Sequence, residues 1–477
     1  MGLKLNAFPT ILNDMTVQLK KRTAFGPAVF YKKTLAIALP VMAQLLIQNF
    51  VSLIDNFMVA GLGDIKMSGV NIAGQINFVF MVFVNTMLVA GGIFIAQYNG
   101  AKNHEGMKQA YRFKLVMGLV ASILYVILTN TLTAPILSLM VRGNKESVAI
   151  VAEGVTYMRA VSWSWIPMAV SMAIGSSLRE IGRVKPPLVM SIIATLINTF
   201  FNWVLIYGKF GFPRLEVQGA AMATNIARIV EMFLFLLYIK KTNPPFYSKI
   251  RDIFKIRLRL FFDILKKSSF ILVSEMAWVI SETVTTALYN SRGGAEIVSG
   301  MAAGFAIANL FFISFSGIHT ATSVIIGSTL GANRLDEARD QKNWIINGSG
   351  LFGFFATFLG LATIFIIPVV FSNLSPEARL VTKQMVFVLA LFMPAWCYIN
   401  AQFAVSRTGG DTLMGVVVDL FTSFVIAIPA MFYMALRTPL GPVLMFAIVK
   451  SVDFLKIAIA AYWLKKERWV KNLALDN

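Results

Sequence analysis

Apolar residues run along this chain in long stretches, broken at intervals by glycine, proline and charge. Each stretch is about as long as a helix that crosses a bilayer. Read this way, the sequence predicts about twelve spans: near 35–60, 68–98, 113–140, 155–178, 187–208, 217–239, 264–290, 297–329, 344–371, 381–405, 412–434 and 442–464. No interval between them is large enough for a sizeable soluble domain. The longest, "KKTNPPFYSKIRDIFKIRLRLFFD" at 240–263, interleaves apolar residues with Lys and Arg after an Asn-Pro-Pro break. That pattern predicts an amphipathic helix lying on the membrane surface.

The two sides of this connection repeat one another. "QYNGAKNHEGMKQA" ends the second span as "STLGANRLDEARDQ" ends the eighth, with Gly100-Ala101 on Gly331-Ala332. The same offset lays Ser68-Gly69 on Ser299-Gly300 and Gln44 on Glu275. The expected fold is therefore an all-α polytopic membrane protein whose twelve transmembrane helices form two pseudo-symmetric six-helix lobes. Its expected parts are a cytoplasmic N-terminal segment 1–34, an N-lobe 35–239, the amphipathic linker 240–263, a C-lobe 264–464 and a cytoplasmic tail 465–477.

Composition agrees. Hydrophobic residues make up 57% of 477 and charged residues only 14%, against about 25% charged in ordinary soluble domains. The net charge of +20 follows topology rather than a nucleic-acid partner. Lys and Arg fall roughly three to one on the side of the N-terminus, alternate loops and C-terminus, which places both termini in the cytoplasm. Residues 1–34 carry basic side chains without the short apolar core and cleavage site of a signal peptide, so the first span is expected to insert the chain and stay. A multi-pass protein of the inner (plasma) membrane is expected. One cysteine excludes an internal disulfide, and two histidines exclude a His-rich metal site.

The candidate chemistry lies in acids inside the spans. Asp55 stands in the first, with Pro40 as a hinge and with Gln44 and Gln48 on nearly the same helical face. An acid in hydrocarbon costs on the order of 3 kcal/mol or more and usually faces a bundle interior or a wet cavity. Glu275 and Glu282 repeat that stripe in the seventh span, two turns apart. None of these three acids has a cation within one turn of its own helix, whereas Glu231 has Arg228 and Asp453 has Lys450 three residues away, the spacing of local ion pairs. Asp419 lies early in the eleventh span, where a helix end or interfacial water is its expected partner. Asn198 and Asn202, one turn apart in the fifth span, are able to hold a carboxylate in either protonation state, or equally to bond helices together. Thr224 opens the sixth. The 39 Phe and 24 Met suit an adaptable apolar cavity.

Taken together, Pro40, Gln44 and "LIDNFMVAGLG", then "AQYNGAKN", "REIGRVKPP", "INTFFNWVLIYG", "GAAMAT", "STLGAN" and "GGDT" resemble the multidrug and toxic compound extrusion (MATE) family over essentially the whole chain. The resemblance implies two six-helix lobes in a V and an antiporter, not an enzyme, that exports small organic compounds, often cationic and aromatic. The coupling ion is H+ or Na+, with no cofactor. Asp55 resembles the first-helix aspartate of the DinF-like branch. Asn198 and Thr224 match the other positions of its ion site, a possible Na+ site, but Asn202 stands where that branch has a second aspartate. Glu275 matches a seventh-helix glutamate of the NorM-like branch, whose tenth-helix aspartate has no counterpart between Glu377 and Asp411. Ion coupling is thus expected at Asp55, Asn198, Asn202, Thr224 and Glu275, and substrate contact at Gln44, Gln48, Glu282 and Tyr289. Membrane lipids and small organic substrates are the expected partners, with no nucleic acid, and the protein is expected to be a monomer.

The alternative is a lipid-linked oligosaccharide flippase of the same superfamily. It would line its cavity with several cations, and only Arg228, Lys450 and Lys456 fall within the predicted helices. The sequence shows no zinc-binding or nucleophile-elbow pattern on a span, and no Gly-x-x-x-x-Gly-Lys-Ser/Thr phosphate loop.

Overall fold

The computed structural model describes residues 23–475. Residues 1–22 of the expected N-terminal segment, and 476–477 of the tail, lie outside them.

The described residues are helical throughout their crossings. The first half comprises α1 (Ala28–Ala60), α2 (Asp64–Gly100), α3 (His104–Met140), α4 (Ser147–Val161), α5 (Trp165–Glu180), α6 (Lys185–Tyr207) and α7 (Glu216–Thr242). The second comprises α8 (Leu258–Asn290), α9 (Ala295–Gly331), α10 (Leu335–Thr363), the short α11 (Ile367–Val370), α12 (Pro376–Thr408), α13 (Leu413–Leu420), α14 (Ile428–Arg437), α15 (Pro442–Lys450) and α16 (Val452–Lys465). Ten uninterrupted helical runs among the described residues are long and apolar enough to cross a membrane. Two further crossings, α4 with α5 and α15 with α16, are broken part-way and complete the expected twelve.

The breaks have local causes. Pro167 withholds an N–H from the Trp163 carbonyl, and a short 3-10 turn, Ser162–Ser164, joins α4 to α5 just before it. Pro429 does the same to Val425, and the turns ahead of it widen into a π-helix, Phe421–Ala427, between α13 and α14. Pro40 stands inside α1 as expected.

The internal repeat is visible in the lengths. α1 and α8 each have 33 residues, and α2 and α9 each have 37, both ending in glycine. Each half has its own apolar core, and the first helix of each reaches into the other. Phe30, Ile37, Ala38 and Val41 of α1 join the second-half core, while Leu260, Ile264 and Ile271 of α8 join the first. The lobes are thereby stitched together across the seam.

At the charge-rich end of the seam, α2 and α9 meet backbone to backbone. A Cβ on Gly100 would lie 1.9 Å from the Ser328 carbonyl oxygen, and one on Gly331 would lie 1.8 Å from that of Gln97. Only glycine permits this approach. The Gln97 amide donates to the Thr408 carbonyl at 2.8 Å and its Oε1 accepts from the Leu473 N–H at 2.7 Å, so the tail closes over the junction.

The connection 243–257 departs from expectation. It is coil with a single 3-10 turn, Ile250–Asp252, rather than one amphipathic helix, and α8 begins at Leu258, inside the stretch assigned to the linker. Arg112 holds this coil against α3, its Nε donating to Ser248 Oγ at 2.8 Å and its Nη1 to the Lys255 carbonyl at 2.8 Å. Turn hydrogen bonds within the coil, with Arg112 on the Lys255 carbonyl and Gln109 on the Arg257 N–H, take up backbone groups that a continuous helix would otherwise pair.

Candidate functional site

α1, α6 and α7 converge on Asp55. The Asn202 amide donates to Asp55 Oδ1 at 2.7 Å and also approaches Asn198 Oδ1 at 3.4 Å. The Asn198 amide in turn donates to Thr224 Oγ1 at 3.4 Å, and the Thr224 hydroxyl donates to the Ala220 carbonyl at 3.1 Å. Four residues from three helices thus form one continuous polar chain. Asp55 is half-buried and Asn202 fully so.

The one-turn spacing of Asn198 and Asn202 aligns them along α6, and the small residues at the start of α7 (Gly219, Ala220, Ala221, Ala223) let that helix approach closely. Asn202 Oδ1 is buried and has no hydrogen-bond partner among the described residues. A carboxylate oxygen beside an unused amide oxygen is a donor set that a small hard cation or a proton would satisfy. Arg228 and Tyr157 lie within electrostatic reach of Asp55, but Arg228 is bonded to Glu231 at 2.9 Å, the local pair its spacing predicted. One turn beyond the half-buried Gln44, Gln48 extends the stripe along α1. Its amide donates to Ser191 Oγ on α6 at 2.6 Å.

The second half is built differently. Glu275 and Glu282 indeed have no cation on their own helix, but each acquires one from another. Arg407 Nη2 of α12 lies 2.8 Å from Glu275 Oε1, and Lys450 of α15 bonds Glu282. Lys450 therefore does not form the expected pair with Asp453. That acid instead accepts from Trp396 Nε1 at 2.8 Å and lies 3.6 Å from Lys456. Asp419 is also corrected. It is buried within the continuous helical run Leu413–Arg437, held by Ser274 Oγ and by Lys456 Nζ at 3.2 Å. Tyr289 is enclosed at 1% exposure, its hydroxyl 2.9 Å from Thr286 Oγ1 and its ring edge-on to Phe446. It is a core residue here rather than a cavity-lining one.

A third charged group escaped the sequence reading. Lys114 is fully buried and donates to Ser177 Oγ at 3.1 Å, within electrostatic reach of Glu180. Glu180 Oε2 accepts from Ser323 Oγ of α9 at 2.6 Å, a hydrogen bond across the seam. These residues stand at the ends of the predicted spans, where burial is hardest to judge, and Arg407 was missed for the same reason. The signal was the run "SSLRE", which continues the helix past the last apolar residue.

Comparison with known proteins places this arrangement. The model of the MatE family matches residues 40–204 and 271–433, one block in each lobe. A probable multidrug resistance protein NorM of Oceanobacillus iheyensis is 25% identical over 426 residues, covering 86% of this chain and 91% of that protein. The multidrug resistance protein NorM of Vibrio cholerae is 26% identical over 316 residues, covering 63% and 66%. A crystal structure of a MATE protein in the straight conformation superposes with a TM-score of 0.80 at 17% identity, covering 92% of this chain and 96% of that one. The outward-facing conformation of a MATE multidrug resistance transporter gives 0.76 at 18%, covering 92% and 95%. Because the two matched blocks make up well over half of the sequence and fall on the two repeated lobes, the chain belongs to the MATE family of transporters.

Proposed function

We propose that this protein is a secondary active antiporter that exports small organic compounds in exchange for a proton or a sodium ion, with Asp55, Asn198, Asn202 and Thr224 as the ion site. The observation that carries the reading is the single carboxylate of that chain, bonded to an amide whose own oxygen is buried without a partner. A bound cation neutralises Asp55 and takes up the unused oxygen, which changes the hydrogen bonds joining α1 to α6. Pro40 gives α1 a place to bend in response. The close approach at Gly100 and Gly331 holds the lobes together at the charge-rich end, and alternating access requires that contact to part. The names of the relatives, multidrug resistance proteins, support an organic cargo, and Gln44 and Gln48 on the same face of α1 are its proposed contacts. No cofactor is called for, since the ion gradient drives the cycle. The protein acts as a monomer in the plasma membrane with both termini in the cytoplasm.

The flippase reading is disfavoured by pairing. The helical cations Arg228, Arg407, Lys450 and Lys456 are each bonded to an acid, and Lys114 and Arg179 lie within electrostatic reach of Glu180. A pyrophosphate would need cations that are not already neutralised.

The test is efflux of a fluorescent organic cation from proteoliposomes under an imposed proton gradient and then a sodium gradient. Wild-type protein should respond to one of them, and Asp55→Asn should fall to the protein-free background while remaining monodisperse. Gradient-driven efflux retained by Asp55→Asn would refute the site.

A further inference from the structure

At the charge-rich membrane surface, the N-terminal turns of α8, the turn between α12 and α13, and the tail line an open cavity of about 480 Å³. Lys266 and Lys267 line it from α8, Arg468 and Lys471 from the tail, and Asp263 and Asp411 are the two acids among its lining residues. None of the four cations forms an ion pair among the described residues. Lys267 Nζ donates to the Gly410 carbonyl at 2.6 Å, and the Arg468 guanidinium lies over the Trp463 ring at 5.2 Å. One of the acids is already engaged, with Asp411 Oδ2 accepting from Trp463 Nε1 at 2.8 Å. The cavity therefore holds an excess of positive charge with few internal partners, unlike Arg407, Lys450 and Lys456.

We propose that this cavity binds a phosphate group, either the headgroup of an anionic phospholipid or a soluble phosphate. Several ammonium groups and one guanidinium around a single space match the distributed charge of a phosphate better than that of a lone carboxylate. Basic pockets between helices at the membrane surface are a recurrent setting for anionic headgroups. Leu258 and Phe262, exposed on the same turns of α8, offer acyl chains an apolar flank. Two of the four cations belong to the tail, and the tail is fixed at the seam through the buried Trp469, through Asn472 Nδ2 to the Gly331 carbonyl at 3.1 Å and through Leu473 N–H to Gln97. An occupied site therefore stabilises the closed seam.

The experiment uses the purified, delipidated full chain, titrated separately with dioleoylphosphatidylglycerol, dioleoylphosphatidylcholine and inorganic phosphate. Thermal unfolding and lipid retention by native mass spectrometry are followed together. Phosphatidylglycerol should raise the unfolding temperature and be retained, and phosphatidylcholine should do neither. The triple variant Lys266→Gln/Arg468→Gln/Lys471→Gln should bind roughly tenfold more weakly or worse. Asp263→Asn removes a negative charge from the wall and should bind a few-fold more tightly, which keeps the test decisive if the triple variant does not fold. A response to inorganic phosphate with the same dependence on these residues identifies a soluble phosphate as the ligand. Equal responses to the two lipids without any to inorganic phosphate, or wild-type binding by the triple variant, would overturn the proposal.

Discussion

The two lobes follow one repeated plan, yet the acids on their matching first helices, α1 and α8, are held in opposite ways. In the first lobe, among the described residues, Asp55 of α1 has a single hydrogen-bond donor, the Asn202 amide, and no cation bonded to it. In the second, Glu275, Glu282, Asp419 and Asp453 are matched against Arg407, Lys450 and Lys456. A carboxylate held only by amides keeps its charge available for a mobile cation. One bonded to a fixed cation has already been neutralised, and removing either partner would leave the other stranded in a poorly solvated place. The contrast supports the proposed ion site in the first lobe and predicts a more rigid second lobe.

The sharpest way to break that assignment is Asn202→Leu. It removes the donor that stabilises the empty Asp55 carboxylate, together with the unused amide oxygen. A hydrogen bond to a charged group contributes about 1.5–3 kcal/mol, so the half-saturating ion concentration should move about tenfold or more. Its direction identifies the ion. A proton needs no second ligand and would be held more tightly, because the empty state has lost its donor. Sodium would be held more weakly, because a ligand oxygen has gone. The measurement is initial efflux rate against pH and against sodium concentration, and an unchanged half-saturation would remove Asn202 from the site.

Next in size is the Glu275–Arg407 pair. The two side chains are 31% and 14% exposed, so solvent screening reduces the cost of stranding one charge to about 1–3 kcal/mol, below that of a fully buried pair. Arg407→Gln alone should lower the thermal unfolding temperature, and adding Glu275→Gln should recover part of the loss, the coupling expected of residues in contact. The double variant should still transport. If it folds but no longer couples efflux to a gradient, Glu275 belongs to the ion machinery and the contrast between the lobes fails.

What the sequence could and could not reveal follows the same division. Apolar length and the spacing of breaks set the twelve crossings, and the matched Gly100 and Gly331 revealed the repeat. Asp55, Asn198, Asn202 and Thr224 came together from helical facing and resemblance, and Arg228 with Glu231 from their three-residue spacing. Partners that cross between helices were hidden, because periodicity describes one helix at a time. Nothing near Glu275 in the chain indicates Arg407, and Lys450 looked committed to Asp453 until α8 brought Glu282 closer. Glu180 and Lys114 were hidden for another reason: they lie beyond or at the edges of the apolar runs, where helices continue into a protein-lined interior that hydropathy reads as surface. The stretch 240–263 looked amphipathic because its composition is. Its coil is held instead by turns and by Arg112 and Gln109 of α3, tertiary contacts that no local pattern encodes.

The smallest expected effect tests the placement of Tyr289. The residue is an expected substrate contact, but its ring packs on Phe446 and its hydroxyl is engaged by Thr286. Tyr289→Phe keeps the ring and removes one hydrogen bond, which costs about 0.5–1.5 kcal/mol. If the residue is part of the second-lobe core, the unfolding temperature falls slightly while the KM for an organic cation stays within about twofold of wild type, a change of roughly 0.4 kcal/mol. The opposite pattern, unchanged stability with a KM raised about fivefold or more, would mean that the core opens at this point during the cycle and that Tyr289 meets the cargo in a conformation where Phe446 has moved away. Either result bears on the comparison: the first keeps the second lobe as a rigid counterpart, and the second makes it a moving wall of the binding cavity.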